Sequence, residues 1–575
     1  MKKIFYIIIC ALGSGIFLSS CKKDFLDLTP KDQISDPQFW KTTQDMELYV
    51  NGLYNVLPGW LLSGSGGNPL LDAGTDMAIS VGLWLPNKNR LDGVVSVPSS
   101  GGGWSWTNVR NVNYFLENAT RVPDGGLKEH YIGEAYFFRA WNYFDLLQKF
   151  GDLPIIKQTL TPDKKDDLYG ARSSRTDVVN FIISDLELAI SKLKKKNEVP
   201  AQRVSRDIAS LFLSRVALYE GTWEKYHQTD AFKGKTNGDA FLNKAASAAK
   251  AVIDGGIYSL AAGNPNQVYY EIFNQINLGS NPEILMWRSY SNVQETGNQV
   301  QNWPNGSGYT QEMVQMYLCT DGLPISLSPL YKGENDIDLL IKNRDPRLVQ
   351  SIMNPGDPVI INTKNDTTKY TLPMLGGAQN GPTGYESQKF RRPQWDPLNF
   401  GPTGETAYII FRYAEALLNY AEAKAELGQL TQADLDLTIN KLRTRVGMPA
   451  MTLASIKTDP KWPDYGYSLS GALYEIRRER EVELLTEGFR LNDLMRWSAH
   501  KLFVGVRPKG AFYTAAFKTA YPGLATDPNN FLDPYKTTLT GPNGGWGFKP
   551  DRNYLLPIPT NELTLNTSLK QNPGY

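Results

Sequence analysis

Histidine and cysteine are scarce in this 575-residue chain, three of each, and the scarcity removes whole classes of chemistry. His130, His227 and His500 show no pairing at helical metal-ligand spacing and no C-x-x-C occurs, so metal catalysis is not expected. Cys10 and Cys21 belong to the N-terminal end, which leaves Cys319 for the body. That body must hold together by packing, without an internal disulfide. An excess of one charge is also missing. The 60 Lys and Arg balance 59 Asp and Glu to a net +1, unlike the basic surfaces that bind nucleic acid. Beyond residue 18, no run reaches the roughly eighteen apolar residues of a spanning helix. Ser63-Gly64-Ser65-Gly66-Gly67 and Gly101-Gly102-Gly103 are not followed by Lys-Ser/Thr, so neither makes a phosphate loop. Glu334-Asn335-Asp336-Ile337-Asp338 could contribute to a structural calcium site but lacks the glycine and closing glutamate of an EF-hand loop. No cofactor is expected.

What is present begins at the N-terminus. Lys2 and Lys3 precede an apolar run from Ile4 to Leu18, then Ser19-Ser20-Cys21 and charge, the layout of an export signal too short for comfort as a membrane span. The segment resembles a bacterial lipoprotein signal covering 1–20, which implies that the mature chain starts at Cys21 with acyl chains on the cysteine. Two or more chains hold a protein on a membrane where one does not. The mature part, 21–575, reads as a single domain. Apolar period and caps predict helices over Lys128–Phe150, from a Thr176 cap through Ile190, from a Ser205 cap to Gly221, over Ala240–Asp254, Glu405–Leu427, Thr431–Val446, Ser470–Glu487 and Leu491–His500. They fall into pairs, as tetratricopeptide-like repeats do, though without a regular 34-residue period. The scaffold is thus chiefly 128–255 and 405–500. Segments rich in Gly, Ser, Pro and Asn, chiefly 58–106 and 263–402, form a loop-rich part, and their tryptophans argue for order.

Several stretches resemble the SusD/RagB family of outer-membrane lipoproteins. Near the start these are Asp24-Phe25-Leu26-Asp27-Leu28-Thr29-Pro30 and Phe39-Trp40; Phe138 to Leu146 with Phe150-Gly151-Asp152-Leu153-Pro154 follow. Towards the end they are Ile476-Arg477-Arg478-Glu479-Arg480-Glu481-Val482-Glu483-Leu484, Glu487-Gly488-Phe489-Arg490, Asp493 to Trp497, Tyr554 to Pro559, and Gln571 to Tyr575. The resemblance implies a mainly α fold, with four tetratricopeptide-like helix pairs and an irregular loop region. It also implies a non-enzymatic, lipid-anchored subunit on the outer face of the outer membrane, seated over a SusC-like TonB-dependent transporter and passing it oligosaccharide. Some relatives serve peptide uptake. In the Arg477–Glu483 run, spacing of four and three allows ion pairs Arg477–Glu481 and Arg480–Glu483 along one helix face.

The ligand residues are not fixed by any family motif and rest on residue chemistry. Sugar rings need flat aromatic surfaces edged by hydrogen-bonding groups in an open groove. Trp84, with Asp76 before it and Asn87 and Arg90 after it, fits that need. Trp104 and Trp106, two residues apart, would point to one side of an extended chain as a double platform. Trp303 and Tyr309 lie among Gln301, Asn302 and Asn305; Trp60 and Trp395 are second choices. Trp141, Trp223, Trp287 and Trp497 read as core. Alternatives are the same scaffold binding peptides, a helical-repeat adaptor without a small ligand, and a surface glycosidase, which would need two exposed carboxylates across a groove.

Overall fold

The computed structural model describes residues 39–60, 71–81, 86–298, 306–362, 364–377, 380–394 and 404–575. The signal segment, Cys21, Trp84, Asn302, Trp303 and Trp395 lie outside the described residues.

Helices dominate, each started by a cap or an apolar stripe. α1 (Thr43–Leu53) opens with a capping box between Thr42 and Asp45. α2 (Thr107–Asn118) and α3 (Lys128–Phe150) follow. α3 keeps the bounds its periodicity predicts, and Gly151, at φ 72°, ends it in a backbone conformation that favours glycine. α4 (Arg175–Lys192) is capped by Ser174, whose hydroxyl accepts from the Asp177 amide. The predicted cap, Thr176, instead turns inward and donates to Glu224. α5 (Arg206–Tyr226) runs past its predicted end at Gly221. A Cβ at Gly221 would lie 2.8 Å from Leu242 Cγ of α6 (Asp239–Asp254), so this glycine permits close helix approach and terminates nothing.

Two predicted helices are corrected. Of the stretch Glu405–Leu427, only Tyr413–Glu426 is helical (α7), and Tyr408–Arg412 is a strand. Its Tyr-Ile-Ile-Phe sequence favours extended chain, and Ile284–Arg288 supplies the partner. Thr438, at φ −125° and ψ −89°, breaks the predicted Thr431–Val446 helix into Gln432–Leu437 and Ile439–Arg445. α8 (Gly471–Glu483) and α9 (Arg490–Arg496) are shorter than expected.

Successive helices stack, α3 on α4, then α5, α6, α7 and α8 in turn, which is the packing of tetratricopeptide-like repeats. Trp223, Trp287 and Trp497 are buried in this core, and Trp141 is half-buried against Phe137 and Phe212. A second, smaller core around Tyr309, Tyr317, Leu348, Tyr385 and Phe517 supports the loop-rich part. Among the described residues the strands form three antiparallel ribbons. β1 (Ala78–Ser80) pairs with β3 (Ser307–Tyr309), β2 (Ile284–Arg288) with β6 (Tyr408–Arg412), and β4 (Pro358–Ile361) with β5 (Thr367–Lys369).

The charged run of α8 joins the two parts. Its ion pairs do not lace one face as the spacing predicts. Arg477 bonds Glu426, Arg480 bonds Asp493, and Glu481 bonds Arg490, because the helix is enclosed and each charge meets a different neighbour. Glu483 accepts from Arg412 at 2.7 Å, Arg445 at 2.7 Å and Arg347 at 2.9 Å. The surrounding network pairs five carboxylates, Glu283, Asp345, Glu479, Glu483 and Glu487, with five cations, Arg347, Lys389, Arg412, Arg443 and Arg445. Burial alone would raise the Glu483 carboxyl, and Arg445, Arg412 and Arg347 overcome it and hold the group far below the usual carboxylate range. Such a group contributes stability that is present above the unfolded value of about 4.3 and is lost as the pH falls. Glu483→Gln is expected to cost about 3–5 kcal/mol of unfolding free energy, since it leaves buried guanidinium charge uncompensated. Denaturant titrations from pH 3 to pH 7 would check this, and the variant should show a shallower loss of stability below about pH 4.

Candidate ligand-binding site

The β1–β3 ribbon fixes the described residues that adjoin the segments of Trp84 and Trp303. Its register sets Ala78 opposite Tyr309 and Ser80 opposite Ser307, and one step further the Val81 amide donates to the Gly306 carbonyl at 2.8 Å. Val81 precedes the segment that carries Trp84, and Gly306 follows the segment that carries Asn302 and Trp303. Antiparallel pairing therefore sets Val81 and Gly306, which adjoin the two segments, side by side at one end of one ribbon, although more than two hundred residues separate them in sequence. Each tryptophan is three residues from the paired backbone.

The ribbon is held on both edges. The Ser80 amide donates to the Tyr535 hydroxyl at 3.1 Å, and that hydroxyl donates back to the Ser80 carbonyl. On the other edge the Tyr309 amide donates to the Tyr385 carbonyl at 3.0 Å. Beside the Val81 end lies an open cavity of about 410 Å³, lined by Val81, Gly376, Gly377, Pro382, Leu524 and Pro534. Val81 is exposed there. This wall comes from Gly376, Gly377 and Pro382, inside the predicted loop-rich part, and from 524–534, outside it, and no residue of either was singled out for the site. The glycine pair Gly376-Gly377, with both residues at positive φ, is the signal that could have marked the first.

Other expected site residues serve the body. Asp76 sits at the opposite end of the ribbon, where its carbonyl accepts from the Thr310 hydroxyl at 2.7 Å. Its carboxylate accepts from Nε and Nη2 of Arg490, at 2.8 and 2.6 Å. Tyr309 is buried in the second core, with its hydroxyl 2.9 Å from that of Ser387. Arg90 is buried too, donating to the carbonyls of Asn553 and Tyr554, and so ties the first loop to the C-terminal segment. Asn87 donates to the Ala73 carbonyl at 3.2 Å. Each of these polar groups was singled out for its neighbours in sequence, and each finds its partner far away in sequence or in the adjacent turn.

Trp104 and Trp106 do not form a double platform. Their rings meet edge to face, with centroids 5.6 Å apart and planes 79° apart. Trp104, 7% exposed, packs on Phe150, and Trp106 packs on Tyr143. The chain turns into α2 at Trp106, so the extended geometry that would align the rings is absent. Trp60 is likewise enclosed by Phe390 and Tyr408. Trp104→Ala is expected to cost about 3–5 kcal/mol as a cavity-forming truncation. A thermal melt of the variant should show a clearly lower midpoint, and an unchanged one would mean that the ring does not pack in the core.

Comparison with known proteins bears on this arrangement. The profile of the SusD family matches residues 271–575, and one described as starch-binding and associating with the outer membrane matches residues 104–218. A SusD-like protein of Formosa agariphila is 25% identical over 525 residues, 86% of this chain and 90% of its own. The crystal structure of a SusD-like carbohydrate-binding protein of Bacteroides fragilis superposes with a TM-score of 0.71 at 23% identity, covering 92% of this chain and 100% of that one. A laminarin-binding SusD-like protein superposes with a TM-score of 0.53 at 18% identity, covering 93% of this chain and 100% of its own.

Proposed function

The chain belongs to the SusD family, and from that premise we propose that it is a non-catalytic, lipid-anchored outer-membrane protein that captures oligosaccharide and delivers it to a SusC-like TonB-dependent transporter. The observation that carries the ligand reading is the Val81–Gly306 pairing, which starts the Trp84 and Trp303 segments from one point on the surface. Two indole rings on adjacent stems supply apolar faces for sugar rings, and Asn302 supplies hydrogen bonds. The open cavity beside Val81 gives a chain-like ligand room to pass. The descriptions of the relatives as starch-binding, carbohydrate-binding and laminarin-binding support the ligand class.

Anchorage rests on the sequence around Cys21, and among the described residues no helix is long and apolar enough to cross a membrane. Weak binding suffices for such a task, since a dissociation constant near 1 mM corresponds to about −4 kcal/mol, and many anchored copies on one surface raise the effective concentration.

Calorimetric titration against plant, fungal and host polysaccharides, with β-glucans and α-glucans as separate arms and peptides alongside, tests the reading. Saturable glycan binding without release of reducing ends is expected. Trp84→Ala and Trp303→Ala should each weaken it about tenfold or more, in line with about 1–3 kcal/mol for loss of one stacked ring, without lowering the thermal midpoint. Peptide binding, or cleavage of the glycan, would overturn the proposal. Unchanged affinity in both variants would overturn the assignment of the site.

A further inference from the structure

The sequence sets two ionised residues near the proposed glycan site, and the structure withdraws both of them. Asp76 is taken by Arg490, and Arg90 by the carbonyls of Asn553 and Tyr554. What remains beside Val81 is an uncharged wall. Every described residue lining the cavity of about 410 Å³ is valine, leucine, alanine, proline or glycine. The chain as a whole is 21% charged, so this wall is not a sample of its average surface. The stretches that adjoin it in sequence, 82–85, 299–305 and 378–379, contain no Asp, Glu, Lys, Arg or His either.

Charges close to the wall in sequence are engaged elsewhere. Asp533, between the lining residues Leu532 and Pro534, is fully buried and held by Arg507 at 2.8 Å and Lys509 at 2.5 Å. Asp527 accepts from the amides of Asn529 and Phe531, and Lys536 donates to the Thr526 carbonyl at 3.0 Å. None of these residues lines the cavity.

The wall's capacity for hydrogen bonds is neutral and belongs to the main chain. A glycine can line a cavity only with its backbone, and Gly376 and Gly377, both at positive φ, make no main-chain hydrogen bond among the described residues. Their amides and carbonyls are open to hydroxyl groups. A Cβ on Gly376 would sit 3.7 Å from Leu524 Cδ2, so a side chain there would take up the space beside the leucine that the bare backbone leaves free.

We propose that the site selects neutral polysaccharide and discriminates against polymers that carry uronate, sulfate or ammonium groups. This rests on the glycan reading and adds to it the charge class of the ligand. An ionised group set against leucine and proline gives up water and meets no opposite charge. Hydroxyls find main-chain partners there, and the apolar faces of sugar rings find apolar side chains.

Calorimetric titration of the purified full chain with polymer pairs that share a backbone separates charge from linkage. The pairs are β-1,3-glucan and its carboxymethylated form, methyl-esterified homogalacturonan and its de-esterified form, and chitin oligosaccharides and their deacetylated forms. One neutral member is expected to bind saturably, with its charged counterpart about tenfold or more weaker. The neutral affinity should change by less than about twofold between low and high salt, because no ion pair is there to be screened. Ala525→Lys, at an exposed lining position, should raise affinity for a carboxylated member about tenfold, the worth of one charge-assisted hydrogen bond, without lowering the thermal midpoint. Equal or tighter binding of a charged member by the unaltered chain, still weakened by Trp84→Ala or Trp303→Ala, would overturn this inference and leave the glycan reading standing. An affinity for carboxylated polymer that Ala525→Lys leaves unchanged would also overturn it. Absence of binding to every member, or binding that both tryptophan variants leave intact, would overturn the glycan reading itself and this inference with it.

Discussion

The architecture depends on one carboxylate, Glu483, and on the requirement that its charge be met in a place water does not reach. Three guanidinium groups meet it, from the strand Tyr408–Arg412, from the short helix Ile439–Arg445 and from the loop-rich segment at Arg347. None of these segments is adjacent to α8 in sequence. An arrangement that misplaced any of them would leave buried charge unpaired at a cost of several kcal/mol, so the network favours a single assembly of helices and loops. Equal numbers of opposite charges keep the cluster neutral, which makes its burial tolerable.

The same helix reaches towards the β1–β3 ribbon through the turn that follows it. Arg490, at the start of α9, bonds Glu481 of α8 on one side and Asp76 on the other. The amides of Gly488 and Arg490 donate to Asp72. The N-terminal base of β1 is thus fixed to the helical body by charge. Its far end, past Ser80, is where the aromatic segments begin. A strand three residues long thus joins the charged anchor at Asp76 to the pairing at Val81.

Local signals recovered the helical scaffold well, because periodicity and caps act within a turn or two. α3 keeps its predicted bounds, and Ser470 caps α8 as its position suggests. The reading failed where a distant partner decided the outcome. Tyr408–Arg412 became a strand because Ile284–Arg288 lies beside it, and Gly221 sits within α5 because α6 crosses there. The proposed site was legible only as residue type. Trp84 and Trp303 could be nominated as aromatics in polar loops, but their common starting point follows from a register between two strands that no local pattern encodes. Trp104 offered the same local signal and proved to be packing, since Phe150 closes over it from another element.

The ribbon at Val81 and Gly306 also separates two tasks that compete in most binding proteins. Its backbone bonds, the Tyr385 carbonyl and the Tyr535 hydroxyl carry the energy of holding the stems, and on the ribbon itself they use main-chain groups that almost any ribbon side chain leaves intact. The segments beyond the stems can therefore change in length and composition with little effect on folding. On the proposed reading the ribbon acts as a socket whose fitting is exchangeable, and taste for a different polymer can arise by rewriting the segments it holds while the machinery beneath stays as it is.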